Sequence, residues 1–233
     1  MTQIDLKKAL AEKAISFVKD KSIIGLGASS SIKYLIESVS GAIKKGLKVK
    51  LVTPSFVTQQ LIMDSGLELY PLSHFSSIDI YFDGCDQFDE DLNALKSGGG
   101  IHTREKLAAS MAREFVIIGD ESKYTETFSE KYPLVLEVLP EAYQYVMAKM
   151  NVLFSGSRTE IRLSDRKIGA AITDNGNYLT DTWFTHWPAP KLVEELTGEI
   201  TGVVETSLFY QIASKAIVMG QKGITLIEKR FYE

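Results

Sequence analysis

The chain has one cysteine, Cys85, so no disulfide can form within it and a reducing compartment is its natural setting. Its three histidines, His74, His102 and His186, are scattered, with no His-Glu-x-x-His pair and no Cys/His cluster, so no protein-held metal is expected. No apolar stretch approaches the roughly 20 residues that span a bilayer. The opening MTQIDLKKALAEKAISFVKD carries acids and lysines where a signal peptide has an apolar core. Basic charge is not in excess either: 26 Lys and Arg stand against 30 Asp and Glu, a net charge of −4, without the clustered cations of a nucleic-acid binder. Internal repeats and low-complexity tracts are lacking, and no GK[ST] follows a glycine loop, which excludes a P-loop. These absences leave a soluble cytoplasmic protein, with no membrane or nucleic-acid partner, as the expectation.

What is present is core-forming. With 233 residues, 45% of them hydrophobic, the chain can build one large domain or two modest ones. Thr2 with Asp5 resembles a capping box, and Leu6, Leu10, Ala14 and Val18 at four-residue spacing predict an amphipathic helix. A buried strand over 22–27 ends in glycines and leads into a helix over 32–39. Strands are predicted at 48–53, 67–72, 78–82 and 115–119, with helices at 54–62 and 103–112 between them. That alternation implies a largely parallel sheet covered on both faces. The pattern changes near Tyr132-Pro133. A strand at 134–138, a helix at 141–150, strand-like 159–163 and 170–173, a hairpin turn at Asn175-Gly176, a return strand at 178–181 and a helix at 188–196 read as a small α+β unit. The segments 202–207, 216–219 and 223–227 supply strands that could rejoin the first sheet.

The densest chemistry lies in DGCDQFDEDLNALKSGGGIHTREK, from Asp83 to Lys106. Two carboxylates (Asp83, Asp86), a cation (Lys96) and a glycine run (Gly98 to Gly100) leave the end of a strand, which is what a polar small-molecule site needs. Lys96-Ser97-Gly98-Gly99-Gly100 exposes backbone N–H groups that could meet a developing oxyanion; a flexible turn with a solvated lysine is the plainer reading. Glu105, in a first helical turn where the dipole favours negative charge, could abstract a proton next to a carbonyl, or simply complement the dipole. Asp83-Gly84-Cys85-Asp86 could bind sugar hydroxyls or shape an Asx-turn; Asp89, Glu90 and Asp91 read as solvated surface, and Cys85 as a small buried residue. Gly25-Leu26-Gly27-Ala28-Ser29-Ser30 lacks the last glycine of GxGxxG, and no acid follows about twenty residues on, so a nicotinamide site is not expected. The serines suit an anion cradle at a helix N-terminus, or a helix cap. Trp183 and Trp187, flanking His186, receive no chemical role.

In this order and spacing, GLG-ASSS, DGCD, KSGGG, TREK, D-x-SK, TDNGN and GVVExSLF resemble the type A ribose-5-phosphate isomerase family over essentially the whole chain. The resemblance implies an α/β fold: a Rossmann-like parallel-sheet domain over 1–131 and 205–233, with a smaller inserted α+β, ferredoxin-like lid domain over 132–204. It implies a cofactor-independent aldose–ketose isomerase that interconverts D-ribose 5-phosphate and D-ribulose 5-phosphate in the pentose phosphate pathway, with a sugar phosphate as substrate, no metal, and a homo-oligomeric state (dimer or tetramer). Carried over residue by residue, Glu105 is the general base, and Asp83, Asp86 and Lys96 line the sugar for ring opening and enediolate stabilisation. Gly98 and Gly99 are backbone donors, and Lys123 lies by the phosphate with Ser30 and Ser31. Ala28, Ser29, Gly84, Cys85 and Ser97 complete the expected substrate-binding set.

The chain departs from the family at Ala28 and Ser29, where the first loop commonly reads GTGST, at Ser97 and Ser207, where glycine is common, and around Thr53-Pro54-Ser55. These departures lie away from Glu105 and bear on the anion end. Two other readings stand beside the first: an isomerase of another aldose phosphate, and a non-catalytic sugar-phosphate sensor, which would have no use for the base.

Overall fold

The computed structural model describes residues 3–229, so the Thr2 half of the expected capping box lies outside the described residues. In chain order the elements begin with α1 (Gln3–Ile15), β1 (Ile23–Leu26), α2 (Ile32–Lys44), β2 (Lys50–Val52), α3 (Phe56–Asp64) and β3 (Ile78–Asp83). Next come β4 (Gln87–Phe88), β5 (Ala94–Leu95), α4 (His102–Met111), β6 (Ala112–Asp120), β7 (Leu134–Val138) and α5 (Tyr143–Leu153). The rest are β8 (Arg158–Ile161), β9 (Tyr178–Trp183), α6 (Pro190–Gly198), β10 (Val203–Thr206), β11 (Leu208–Phe209), β12 (Lys215–Gly220) and β13 (Gly223–Glu228). They form two compact units, one of Met1–Cys85, Arg104–Tyr124 and Gln211–Glu233, the other of Asp86–Thr103 and Thr125–Tyr210.

The first unit is the expected Rossmann-like α/β layer. Its sheet has the order β13-β12-β6-β3-β1-β2, parallel except for the antiparallel β12–β13 pair. Ile32, Leu35, Ile36 and Val39, at i, i+3, i+4 and i+7, give α2 one apolar stripe, buried with Leu10 and Ala14 of α1 against Ile24, Leu26, Val116 and Ile217. Along β3, Ile80 and Phe82 enter that core, and the two-residue period turns Tyr81 and Asp83 to the opposite face. The chain adds β2 on one side of β1 and then returns to place β3 on the other. The loops leaving β1 and β3 therefore diverge, and the carboxyl ends of these strands are where a parallel sheet opens a binding crevice.

The second unit contains the sheet β10-β7-β9-β8, antiparallel throughout, built in the chain order β7-α5-β8-β9-α6-β10. This is the ferredoxin-like arrangement. Leu134, Leu136 and Val138 of β7 pack with Val146 and Met150 of α5, Val193 of α6, and an aromatic cluster of Phe154, Phe184 and Trp187. Trp187 is thus a core residue, and its Nε1 donates to the Ser129 carbonyl at 3.0 Å. A second small sheet, β11-β5-β4, gathers residues 86–95 and Leu208–Phe209.

The units divide the chain differently from the domains expected at 132 and 204. Residues 86–103 join the second unit because β5 pairs with β4 on one side and with β11 on the other, burying Phe88, Leu92 and Leu95. The strand expected over 67–72 is reduced to one parallel bridge, Leu51 to Leu69: Pro71 has no N–H to continue a ladder, and a 3-10 turn follows at Leu72–His74. The strand expected over 170–173 is likewise two bridges, Leu163–Ala170 and Ile172–Tyr178, the second of them around the Asn175-Gly176 turn. Asp89 is not merely solvated. Its carboxylate accepts from the Asp91 and Asn93 N–H groups and the Asn93 amide, closing the turn between β4 and β5, while Glu90 and Asp91 are exposed as expected. Among the described residues, no helix is long and apolar enough to cross a membrane.

Candidate active site

The glycines of the GLG motif are explained by what faces them across the sheet. Gly25 is in register with Tyr81, and Gly27 N–H continues the ladder by donating to the Phe82 carbonyl at 2.8 Å. A Cβ on Gly25 would lie 2.6 Å from the Tyr81 ring, and one on Gly27 would fall inside the Asp83 carboxylate. The two glycines are hollows for a Tyr-x-Asp pair with the same spacing on the neighbouring strand.

Asp83 is fully buried and held from two sides. Its Oδ1 accepts from Ala28 N–H at 3.1 Å and Gly84 N–H at 2.7 Å, and its Oδ2 accepts from the Tyr81 phenol at 2.7 Å. Burial first, then the negative charges of Asp83 and Glu105, push the Tyr81 phenol well above its ordinary range, so it stays protonated and remains a hydrogen-bond donor. Glu105 sits in the first turn of α4 and is almost fully buried. Tyr81, which joins the two acids electrostatically, went unnoticed in the sequence. Its only signal was the Gly-x-Gly and Tyr-x-Asp spacing on two strands whose register a sequence does not reveal.

The remaining expected residues of this unit stand at the carboxyl edge of the parallel strands. Ala28 and Ser30 are exposed, and Ser31 occupies the N-cap of α2 without making a side-chain cap bond. The Ser29 hydroxyl is buried without a hydrogen-bond partner among the described residues, and the side chain rests against Gly84, where a Cβ would collide with it. The helix-cap reading of these serines is therefore not what the structure shows. Ser55 does cap its helix, accepting from Thr58 N–H at 3.2 Å, and the Thr58 hydroxyl donates to the Gly27 carbonyl at 2.6 Å, which ties the first loop down. Cys85 is half-buried and in no disulfide. Lys123 ends a 3-10 turn capped by Asp120, with its aliphatic stem lying over Gly119.

In the second unit Asp86 and the lysine–glycine loop come together. Asp86 Oδ2 accepts from Ser97 N–H at 2.6 Å and Gly98 N–H at 3.2 Å, so two amides of the expected oxyanion nest are engaged by this carboxylate. The Lys96 backbone N–H donates to the Ser207 carbonyl at 2.9 Å, and its buried ammonium lies 5.8 Å from the centre of the Phe209 ring. Arg162, paired with Asp181 at 2.6 Å, donates to the Ser97 carbonyl at 2.9 Å and fixes the loop from its other side. Gly98 and Gly99 are exposed, and Gly100 turns the chain with a φ of +68°.

Two of the serine departures are structural. The Ser97 hydroxyl donates to the Pro133 carbonyl at 2.6 Å. The Ser207 hydroxyl accepts from Val135 N–H at 2.9 Å. Each satisfies a buried backbone group that a glycine would leave to something else. Sequence reasoning also passed over Glu137, a completely buried carboxylate on β7. It accepts from the hydroxyls of Thr103 and Thr173 and the amides of Asn175 and Asn177, the last at 2.7 Å. Burial raises its pKa, but these four hydrogen bonds outweigh that and hold it below the ordinary value. The TDNGN segment thus serves a buried anion as well as a turn. Among the described residues, no group of three or more His, Cys, Asp or Glu is placed to hold a metal ion.

Residues 50–223 match the model of the family described as ribose 5-phosphate isomerase A (phosphoriboisomerase A). The chain is 37% identical to the ribose-5-phosphate isomerase A of Methanocaldococcus jannaschii over 231 residues, 98% of this chain and 100% of that one. It is 35% identical to that of Prochlorococcus marinus over 234 residues, 97% of this chain and 98% of the other. Among solved structures, a D-ribose-5-phosphate isomerase in complex with phospho-erythronic acid superposes with a TM-score of 0.90 at 30% identity, covering 98% of this chain and 100% of that one.

Proposed function

This chain belongs to the ribose 5-phosphate isomerase A family, and we propose that it interconverts D-ribose 5-phosphate and D-ribulose 5-phosphate through an enediolate. The single observation that carries the reading is full-length relatedness to isomerases of that name, joined to a buried acid at the start of a helix.

In the open-chain aldose, Glu105 takes the proton from C2. The released electron pair forms the C1–C2 double bond, and O1 becomes negative. The acid then returns its proton to C1, while the proton of the C2 hydroxyl ends on O1, giving the ketose with no net change in atoms or electrons. Lys96 supplies positive charge for the enediolate, Asp83 and Asp86 bind the sugar and assist ring opening, and Gly99 offers a backbone N–H. Gly98 offers its own only if Asp86 releases it, since the two are bonded here. Ala28, Ser29, Ser30, Ser31 and Lys123 take the phosphate end, with Gly84, Cys85 and Ser97 shaping the walls. Phosphate binding far from the reacting carbons supplies the energy that orients the chain. The catalytic role of the parallel-sheet unit, the lid role of residues 132–204, a cytoplasmic location and a homo-oligomeric state belong to the same proposal.

The test is isomerisation of ribose 5-phosphate by the purified chain, with Glu105→Gln alongside. The expected result is turnover that falls by about 10²–10⁴-fold in the variant with substrate binding retained. Turnover unchanged in Glu105→Gln would refute the base assignment. No turnover by the unsubstituted chain would refute the substrate, and a panel of pentose and hexose phosphates would then separate another aldose phosphate from a binding protein without catalysis.

A further inference from the structure

We infer that Tyr81 is a positioning residue of the isomerase: its phenolic O–H locks the Asp83 carboxylate and, through it, the first residues of the two loops that leave β1 and β3. The inference rests on the isomerase reading and adds to it a residue that the proposed chemistry does not use.

Tyr81 is wholly buried, and its ring occupies the hollow left by Gly25 and packs on Phe115 at 5.4 Å between centroids. Phenylalanine would fill that hollow equally well. The hydroxyl therefore has a purpose besides packing, and the 2.7 Å bond to Asp83 Oδ2 shows where it is spent. With Oδ2 on the phenol and Oδ1 shared between Ala28 N–H and Gly84 N–H, the carboxylate is fixed in rotation about its own bond. Those two amides begin the GASSS loop and the DGCD turn, both assigned to the substrate. A carboxylate free to turn would release one or both of them. Burial and the charges of Asp83 and Glu105 keep the phenol protonated, so the donor stays in place throughout the range in which an enzyme works. Tyr81 itself has no proton to give the sugar: its one O–H is committed to Asp83.

The test is a double-mutant cycle with Tyr81→Phe, Asp83→Asn and both together, read as kcat and KM for ribose 5-phosphate. Tyr81→Phe is expected to lower kcat about 10-fold or more with KM nearly unchanged, the loss of one hydrogen bond to a charged group. If Tyr81 acts through Asp83, the double variant loses no more than Asp83→Asn alone. A Tyr81→Phe kcat within about twofold of the unsubstituted chain, or losses that multiply in the double variant, would overturn the inference. A second readout needs no turnover: the ¹³Cζ resonance of labelled tyrosine at neutral pH, where the phenol is protonated. Removing the charged acceptor in Asp83→Asn should shift the Tyr81 resonance, and a resonance that does not move refutes the pairing. If the resonance moves but the unsubstituted chain does not turn over ribose 5-phosphate, the pairing stands and the isomerase reading falls, taking the catalytic role of Tyr81 with it.

Discussion

Replacing Glu137 by Gln tests whether a buried anion held by neutral donors organises the second unit. The side chain is fully buried, and four side chains donate to it. The amide keeps one acceptor for the Thr173, Asn175 and Asn177 donors but turns an NH₂ group toward Thr103 and takes the second acceptor from Asn175. The bonds that remain become neutral. Hydrogen bonds to a charged group are worth about 1.5–3 kcal/mol each and neutral ones about 0.5–1.5, so the four lose roughly 4 kcal/mol together. Relief from burying a charge offsets part of this, leaving a net loss of about 2–3 kcal/mol. For a chain of this size that corresponds to a Tm lower by about 5–10 °C.

The pH dependence gives the prediction a sign. The folded pKa of Glu137 lies below its ordinary value of 4.5. Its contribution is therefore fully present above that value and is lost as pH falls through the folded pKa. Glutamine has no such slope. Urea unfolding of both proteins at pH 7, 5.5 and 3.5 should show a constant gap at the two higher values and a narrower one at 3.5. A gap equal at all three, or Glu137→Gln as stable as the unsubstituted chain at pH 7, would refute the reasoning.

Gly27→Ala places a methyl group inside the Asp83 carboxylate and must displace the β1 or β3 loop; isomerase activity should fall by about 100-fold or more with the circular dichroism spectrum retained. An active Gly27→Ala enzyme would show that Asp83 can be moved without cost. Ser207→Ala removes the acceptor for a buried Val135 N–H and should cost about 1–3 kcal/mol in urea unfolding. Ser207→Gly serves as the comparison, and if both match the unsubstituted chain the hydroxyl is dispensable.

Much of this protein was legible along the chain, because the signals are local. The apolar spacing of Ile32, Leu35, Ile36 and Val39 belongs to one helix, the alternation of Ile78 to Phe82 to one strand, and Asn175-Gly176 to one turn. Glu105 at a helix start and the crowding of acids, lysine and glycines between Asp83 and Lys106 also follow from order alone and point to a polar small-molecule site, while the sugar phosphate itself is what the resemblance of the motifs implies. Other assignments depended on neighbours far away in sequence. That Gly25 and Gly27 make room for Tyr81 and Asp83 follows from the register of two strands more than fifty residues apart. The same holds for the Ser97 and Ser207 hydroxyls, which serve the backbone at Pro133 and Val135, and for Glu137, where an acid on a buried strand is tolerated only because two other segments, at Thr103 and at 173–177, bring donors to it. A sequence states each residue's period and reach. Which polar groups must be satisfied, and by whom, is settled only when folding removes water from them.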